Sequence, residues 1–528
     1  MKRGYASMYQ DSSFLCTLLS FMHAGLLSAP LCLVMVLTSC QQPSRPSAEV
    51  LVQSHCGSCH LMPDPSLLDR TTWMQSTLPE MGYRLGIYTD TSRASIVKPL
   101  IDFGVDPEPF YPSNAVLTVE EWMSITEYYR DRAPETLSAN DPSMTVGLNG
   151  FEVRESQLRF SPPYTTDIQI YDAYRAYSIG NYASESKLVL LTASDQLMFE
   201  FDLEGAPTDT EIDGSTFIVS VAGPGPEPTA GRLGAVYGIL GPDQDPIVLV
   251  DDLYRPVDIE VGDLNNDGLA DLVICEYGHY EGYLSWYQDQ GDGAYERNVL
   301  MTAPGAIAAK IADLNGDELL DVIVLMAQGD EGVDVYLNEG NGVFQRERVL
   351  RFAPVYGSTD LELYDFNGDG LLDILYTNGD NADSSPIIKP YHGVRIFLAE
   401  SSTSFKEEFF YPMPGAMSAQ AGDIDEDGDL DVVAISYFPD YVQRAQSVVL
   451  LENESTQTMA FSPFTFEDSF RGRWLAMDIG DIDGDRDLDI VLGSNIGFGP
   501  KGDKTNLYDR WAEESISAVI LENNLRSN

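Results

Sequence analysis

Apolar residues follow three different patterns along the 528 residues of this chain. Residues 14–38 are almost entirely apolar, which is typical of an export signal or of a single membrane span. Residues 66–82 and 117–135 carry apolar side chains at helical spacing and predict two helices. From about residue 150 onward, short β-prone runs alternate with acidic turns, and this pattern predicts a long all-β region.

The second predicted helix has a clear start. Thr118 is expected to cap it, with Glu121 three residues later as the partner in a capping box. The apolar side chains that follow are predicted to share one face: Val119, Trp122, Ile125 and Tyr129.

Five acidic segments in the β-prone region repeat one sequence pattern. Successive segments start 50, 52, 58 and 58 residues apart, at Asp263, Asp313, Asp365, Asp423 and Asp481. A fixed period of this length indicates a propeller or a solenoid, in which each repeat is one unit of a larger fold.

Each segment has oxygen-bearing side chains at positions 1, 3, 5 and 9. Calcium takes about six to eight oxygen ligands, and carboxylates this crowded repel one another without a cation. An EF-hand would need Glu at position 12, where these segments have Ile274, Val324, Tyr376, Ala434 and Leu492. We therefore predict calcium loops that join two strands, with these ligands: Asp263, Asn265, Asp267, Asp271, Asp313, Asn315, Asp317, Asp321, Asp365, Asn367, Asp369, Asp373, Asp423, Asp425, Asp427, Asp431, Asp481, Asp483, Asp485 and Asp489.

The five segments resemble the loops of the FG-GAP/VCBS repeat family, which have the form DxDxDGxxD. The resemblance covers about residues 250–500 and implies calcium between two strands of a propeller blade. Two loops depart from it, because Glu318 and Arg486 stand where the family has glycine at position 6. If this position needs a positive φ, these two loops are strained or bind calcium more weakly.

Five loops and two partial repeats predict seven blades. Residues 187–203 are predicted to be the second and third strands of one blade, and residues 234–250 the third and fourth strands of another. The last blade ends at residues 517–524 without a fourth strand, which residues 151–160 could supply. Closure of the ring by both ends of the region would leave no exposed edge.

The stretch Cys56-Gly57-Ser58-Cys59-His60 matches the haem attachment motif of c-type cytochromes. Two thiols one helical turn apart can bond both vinyl groups of one haem c, and the adjacent histidine then faces the iron. A thioredoxin-like dithiol would need a βαβ context, and a zinc site would need a second pair of ligands. We therefore predict covalent haem at Cys56 and Cys59, with His60 as an iron ligand.

Residues 50–135 as a whole resemble a short monohaem cytochrome c domain. Met81 is predicted to be the sixth iron ligand, because it is expected in a bend after a helix and before a glycine. Met74 and Met123 are alternative ligands, whereas Met62 follows His60 too closely to reach the opposite face of the haem. Each of these methionines could instead pack in the core. The predicted fold class is an all-β seven-bladed propeller of FG-GAP/VCBS type, preceded by a small all-α cytochrome c-like domain.

Charge and the N-terminus predict where the chain works. The net charge of −52 excludes nucleic acid as a partner and favours cations or a redox partner with a basic patch. Leu37-Thr38-Ser39-Cys40 resembles a bacterial lipobox, so Cys40 is predicted to carry a lipid, with an uncleaved anchor as the alternative. The exported chain would be held in the outer membrane, on its periplasmic or its cell-surface side, by this lipid alone. The predicted segments are a signal peptide (1–39), a tether (40–49), the haem domain (50–135), a linker (136–150) and the propeller (151–528).

The loops between second and third strands are long and aromatic at 277–287, 379–396, 437–446 and 498–511. We expect these loops to form a pocket or a docking surface for a glycan or a small molecule. The alternative is that the loops pack on one another over the central channel. These loops contain two histidines, His279 and His392, and other basic residues that include Lys389, Arg444, Lys501 and Lys504.

These features are compatible with three functions. The leading one is an electron-transfer lipoprotein, whose propeller acts as a calcium-stabilised scaffold or docking domain and which has no catalytic residue. The second is an oxidoreductase whose propeller delivers substrate electrons to the haem, but no quinone-cofactor signature and no acid–base pair supports it. The third is a cell-surface adhesion or glycan-binding module, which leaves the haem motif unexplained.

Overall fold

A computed structural model gives the structure of this chain. It describes residues 46–138, 142–148, 150–182, 185–225, 230–242, 244–382, 387–442, 444–455, 459–497, 503 and 505–525. The chain divides into two compact units, residues 1–46 and residues 47–528. The predicted signal peptide, Cys40, Lys501 and Lys504 lie outside the described residues, as does the side chain of Arg444.

A helical region precedes the blades. Its helices are α1 (Ala48–His55), α2 (Arg70–Thr72), α3 (Leu78–Arg84), α4 (Arg93–Asp102) and α5 (Val119–Arg132). Helix α1 packs against α5, over a core that includes Val52, Trp73, Ile125 and Tyr129. Within the described part of the chain, every helix is too short or too polar to cross a membrane.

Helix α5 confirms the helix predicted over 117–135. The Glu121 N–H donates to Thr118 Oγ1 at 3.2 Å, and the Thr118 N–H donates to Glu121 Oε2 at 2.8 Å, so both halves of the capping box are present. Trp122, Ile125 and Tyr129 are buried as predicted. Val119 is instead 58% exposed, because the first turn of the helix extends beyond the core.

The helix predicted over 66–82 runs further than expected. Helix α2, a π-type turn at Trp73–Thr77 and α3 follow one another directly, so helical backbone extends from Arg70 to Arg84. Met81 therefore lies inside a helix, and the prediction that it lies in a bend is wrong.

Gly82, which suggested the bend, and Pro79 both lie within helical backbone. Pro79 lies in the first turn of α3, directly after the wider turn in which Leu78 N–H donates to Trp73 O. A missing N–H costs little there, because the wider turn has already shifted the hydrogen bonding. Gly82 lies inside α3, where its lack of a side chain makes room for Trp122. A Cβ atom at this position would be 3.0 Å from the Trp122 ring.

Six four-stranded sheets and one five-stranded sheet form the seven blades and confirm the predicted seven-bladed propeller. Two strands precede the first complete blade, β1 (Thr145–Val146) and β2 (Phe151–Glu155). Blade 1 contains β3 (Thr165–Tyr171), β4 (Ala176–Asn181), β5 (Ser186–Thr192) and β6 (Leu197–Leu203). Blade 2 contains β7 (Pro207–Asp213), β8 (Thr216–Val221), β9 (Gly234–Ile239) and β10 (Ile247–Leu253). Blade 3 contains β11 (Pro256–Gly262), β12 (Asp271–Glu276), β13 (Tyr283–Asp289) and β14 (Tyr295–Thr302).

Blades 4 to 7 continue in the same order. Blade 4 contains β15 (Ala306–Ala312), β16 (Asp321–Met326), β17 (Gly332–Asn338) and β18 (Phe344–Arg351), and blade 5 contains β19 (Ser358–Tyr364), β20 (Asp373–Asn378), β21 (Gly393–Ser401) and β22 (Ser404–Pro412). Blade 6 contains β23 (Ala416–Gly422), β24 (Asp431–Ser436), β25 (Val448–Asn453) and β26 (Phe461–Thr465). Blade 7 contains β27 (Trp474–Gly480), β28 (Asp489–Ser494) and β29 (Ala518–Asn523). A sixth helix, α6 (Leu507–Glu514), lies between β28 and β29.

The last blade is completed by the start of the β region, as predicted. Strand β2 pairs antiparallel with β29, with Val153 opposite Leu521, and so supplies the fourth strand of blade 7. Strand β1 pairs in parallel with β26 of blade 6, with Thr145 opposite Phe464. Both pairings join segments more than 300 residues apart and cover outer edges that would otherwise be open.

One predicted strand assignment is wrong. Residues 187–203 form the third and fourth strands of blade 1, not the second and third, whereas residues 234–250 do lie in the third and fourth strands of blade 2. The first two strands of blade 1 are joined by a short turn in which Arg175 has φ 50°. Because this turn has none of the acidic spacing of the later blades, those strands were missed.

The first strand of every blade lies innermost and contacts the first strands of its neighbours. Carboxylates on these strands join one blade to the next: the Ile259 N–H donates to Asp209 Oδ2 at 2.9 Å, and the Ala309 N–H donates to Asp258 Oδ2 at 2.8 Å. Lys310, on β15, lies 3.0 Å from Glu260 and 3.3 Å from Glu362. The other inner carboxylates are Asp167, Glu211, Asp360 and Asp478, and burial raises the pKa of Asp167 and Asp478 to about 7.

Candidate functional site

The five acidic segments form the turns between the first and second strands of blades 3 to 7. In each turn the carboxylate at position 1 accepts the N–H of position 6, at 2.8 Å from Gly268 to Asp263 and at 3.1 Å from Arg486 to Asp481. The side chain at position 3 accepts the N–H of position 5, at 2.8 Å from Asp267 to Asn265. The predicted spacing therefore produces one recurring turn.

The turns differ at position 3. In blades 3, 4 and 5 it is Asn, whose Nδ2 donates to the position 5 carboxylate at 2.9, 3.0 and 3.0 Å; we call these the Asn-type loops. In blades 6 and 7 it is Asp, and we call these the Asp-type loops. There the carboxylates of positions 1, 3 and 5 all lie within 4.8 Å of one another: Asp423, Asp425 and Asp427, and Asp481, Asp483 and Asp485.

This donor set fits a hard divalent cation, because three carboxylates converge in one turn. Burial raises the pKa of Asp425 and Asp483, and neighbouring carboxylates raise it further. In the Asn-type loops, backbone N–H groups instead lower the pKa of Asp267 and Asp313. Calcium at all five loops stays a prediction, for which the Asp-type loops provide the stronger geometry.

The aspartate at position 9 has a structural role that sequence analysis missed. Asp489 Oδ2 accepts the Ile482 N–H at 3.0 Å, and its Oδ1 accepts the Asn523 N–H at 2.8 Å. Each carboxylate thus ties its own turn to the end of the third strand in the same blade. The other four do the same and are also buried: Asp271, Asp321, Asp373 and Asp431.

Position 6 has a positive φ in all five loops. The values are 87° at Gly268, 89° at Gly370 and 98° at Gly428, and 69° at Glu318 and 82° at Arg486. Left-handed backbone costs a residue with a Cβ about 1–2 kcal/mol. The two departures from the family pattern are therefore strained, as the sequence predicted.

The predicted haem motif follows α1 directly. Cys56 caps the helix end with its N–H donating to Val52 O at 2.8 Å, and it is half-buried against the core of the helical region. Cys59 is exposed, and both thiols are free. Burial raises the pKa of the Cys56 thiol to about 11, which keeps this thiol protonated at neutral pH.

The imidazole of His60 is held in one tautomer. Its Nδ1 lies 2.9 Å from the carbonyl oxygen of Leu61, and a carbonyl only accepts, so Nδ1 carries the proton. In the neutral ring Nε2 then keeps its lone pair, which is the form that binds a metal. Two free thiols, this nitrogen and the adjoining apolar core together fit a covalently attached haem.

The candidate sixth ligands differ in burial. Met81 and Met74 are half-buried against the same core as Cys56. Met62 contacts this core too, although it follows His60 too closely to oppose it. Met123 is 55% exposed on α5, which argues against it. Met81 stays the predicted ligand.

The predicted docking face of the propeller is partly covered by the helical region. Tyr280, in the loop between β12 and β13, lies 5.3 Å from Phe110 between ring centroids. The Tyr391 hydroxyl, in the loop between β20 and β21, donates to Leu67 O at 3.0 Å. His392 is buried in that same loop. This face therefore forms an interface within the chain at blades 3 and 5.

The remaining basic residues of the face are placed as follows. Lys389 is buried, with Nζ 3.4 Å from Asp380 O. His279 is half-buried beside Tyr280. Sequence analysis missed two arginines at this interface, Arg84 and Arg255, because they stand outside the loops and match no motif.

Comparison with known proteins agrees with the turn geometry. Residues 263–324 and 313–376 match the FG-GAP-like repeat family, and these ranges contain the loops of blades 3, 4 and 5. The chain therefore contains FG-GAP-like repeats within a seven-bladed β-propeller. No curated protein matches the sequence significantly. Among solved structures, the crystal structure of the N-terminal domain of Nup159 is similar at 13% identity, over 73% of this chain and 98% of that one, with a TM-score of 0.40. A likeness this distant carries no argument.

Proposed function

We propose that this protein is an exported, lipid-anchored c-type cytochrome that transfers electrons. The observation that carries the proposal is the Cys56–His60 motif, with two free thiols, a histidine whose Nε2 keeps its lone pair, and an apolar core beside them. A bound haem would supply reversible one-electron chemistry. No catalytic residue is assigned.

The chain's own residues have four roles in this proposal. Cys56 and Cys59 would hold the group covalently, His60 would bind its iron through Nε2, and Met81 would supply a thioether ligand. The core around Trp73 excludes water, which favours the less charged, reduced state and raises the reduction potential.

The propeller is the scaffold of this cytochrome. We propose that Ca2+ bound at the five loops stabilises it, the Asp-type loops most strongly. The net charge of −52 suits a redox partner with a basic patch and excludes nucleic acid. Cys40 would anchor the chain in the outer membrane through its lipid.

An absorbance experiment tests the proposal. The full chain is produced in a host with haem c maturation, and spectra are recorded oxidised, reduced and as a pyridine haemochrome after denaturation. We expect haem that survives denaturation in the wild type and in Cys275→Ala, a matched control at a buried cysteine outside the motif, and none in Cys59→Ala. A colourless wild-type protein would overturn the cytochrome proposal.

The same spectra test the sixth ligand. A weak far-red band in the oxidised protein is expected to vanish in Met81→Ala and to persist in Met123→Ala, whose side chain is exposed. Loss of the band in Met74→Ala alone would transfer the assignment to Met74.

A further inference from the structure

Three basic side chains meet where the helical region rests on blade 3, and we call them the seam cluster. They are Arg84 at the end of α3, Arg255 directly before β11, and His279 in the loop between β12 and β13. The imidazole centroid of His279 lies 4.3 Å from that of Tyr280, and the guanidinium carbon of Arg84 lies 5.7 Å from the same tyrosine ring. The helical region and the propeller therefore both contribute to the cluster.

The two arginines have aromatic neighbours and no acidic ones in contact. The guanidinium of Arg84 lies 4.4 Å from the Tyr111 ring, and that of Arg255 lies 4.9 Å from the Tyr277 ring. Among the residues that the structure describes, neither guanidinium has an ion pair or a hydrogen bond. Nε of Arg255 is buried without any acceptor.

This lack of partners is unusual in so acidic a chain. The sequence has 83 acidic and only 31 basic residues, and many arginines elsewhere pair with carboxylates, as Arg154 does with Asp195 at 3.1 Å and Arg346 with Asp334 at 3.0 Å. Two guanidinium groups without carboxylate partners at one seam leave a local positive charge. Arg84 is exposed, so the cost falls on Arg255, whose Nε is buried without an acceptor. Burying an unpaired charge costs free energy, which an anion would recover.

The electrostatics of the three groups are coupled. Burial lowers the pKa of His279, and the positive charges of Arg84 and Arg255 lower it further. Burial also lowers the pKa of Arg255, while Tyr277 and Asp380 act in the opposite direction. His279 is thus close enough to both arginines for their positive charges to disfavour its protonation.

The backbone holds two of the groups in unfavourable conformations. Arg255 has φ 46°, in the left-handed region that a residue with a Cβ rarely adopts. Next to His279, Gly278 has φ 61°, and a Cβ atom there would lie 1.8 Å from Glu281 O. Strain of this kind persists where the surrounding structure imposes it, and it is concentrated at binding and active sites.

We propose that the seam cluster binds a small oxyanion, either a carboxylate or a phosphate group, between Arg84, Arg255 and His279. The planar guanidinium forks match both groups, since each fork can donate two parallel hydrogen bonds to two oxygens. The imidazole adds a third donor. This site is independent of the haem motif, so it stands or fails separately from the proposed function.

Calorimetric titration of the full chain tests this site. Sodium phosphate and sodium succinate are titrated separately at constant ionic strength, which distinguishes the two oxyanion classes. The variants are Arg84→Gln and Arg255→Gln, and the matched control is Arg175→Gln, an exposed arginine that also has a left-handed backbone, with φ 50°.

We expect saturable binding of at least one anion to one site per chain. Loss of either seam arginine should weaken it about tenfold, the effect of one charged hydrogen bond, and Arg175→Gln should leave it unchanged. Because Arg84 is exposed, its substitution leaves the core intact and keeps the test valid if Arg255→Gln misfolds. Absence of saturable binding, or equal binding by the wild type and Arg84→Gln, would overturn the proposal.

Discussion

The Asn-type loops of blades 3, 4 and 5 and the Asp-type loops of blades 6 and 7 share a backbone but differ in charge. The amide at position 3 of an Asn-type loop donates to the position 5 carboxylate, as Asn265 does to Asp267 at 2.9 Å. The Asp-type loops lack this donor, and their three carboxylates converge within 4.8 Å. The difference teaches that one turn can be stabilised internally or can depend on a cation.

Calcium removal should have the largest effect and should separate the two groups. A ligand at one hundred times its Kd stabilises the fold by about 2.7 kcal/mol per site, so excess chelator should lower the melting temperature markedly. Hydrogen exchange should then rise first in β24 and β28, which follow the Asp-type loops. An unchanged melting curve in excess chelator would contradict the calcium assignment.

An exchange of position 3 between the groups sharpens this prediction. Asp483→Asn gives blade 7 an Asn-type loop and should reduce the loss of stability on chelation. Asn265→Asp is the reciprocal change in blade 3 and should increase it. If both variants respond to chelator as the wild type does, position 3 does not determine the dependence on calcium.

Substitution of the aspartate at position 9 should lower the free energy of unfolding by the same amount in Asn-type and Asp-type loops. Asp489→Ala and Asp271→Ala each leave two buried N–H groups without an acceptor, which costs about 2–4 kcal/mol of unfolding free energy in urea titration. Asp489→Asn retains one acceptor oxygen and should cost less. A loss confined to the Asp-type loop would show that position 9 acts through the cation.

Glycine at position 6 should stabilise one loop of each group. Glu318→Gly and Arg486→Gly release left-handed strain at φ 69° and 82°, and the gain in unfolding free energy should be about 1 kcal/mol. Glu318→Ala is the control, since it keeps the Cβ and hence the strain. Equal stability of the Gly and Ala variants in thermal melts would refute this explanation.

The smallest effect should be the pH dependence without calcium. Burial raises the pKa of Asp431 and Asp489 to about 7, and that of Asp373, in an Asn-type loop, to about 6. These values lie above the unfolded value of about 4, so the folded state binds the extra proton and stability increases as the pH falls from 8 to 5. This gain in stability should appear in thermal melts with chelator and should be smaller in Asp431→Asn. A melting temperature that decreases as the pH is lowered from 8 to 5 would contradict the prediction.

Local spacing accounts for the parts that were predicted correctly. The period of the acidic segments and the apolar residues at position 12 predicted the turns. Two partial repeats completed the predicted seven blades, and the missing fourth strand of the last blade predicted closure by residues 151–160. The errors arose where a local signal had two meanings. Pro79 and Gly82 resemble a helix end, yet α3 continues through them because of the π-type turn and the contact with Trp122.

By itself, the sequence determined the recurring turn, because the hydrogen bonds accepted by positions 1 and 3 join residues no more than five positions apart, as between Asp263 and Gly268. It also determined the capping box and the spacing of the two thiols, for the same reason. Only the tertiary structure decided that Tyr280 meets Phe110 and that Arg84 and Arg255 both lie near His279. These groups are about 170 residues apart in the chain, and they meet because the helical region rests on blade 3, which no local pattern encodes.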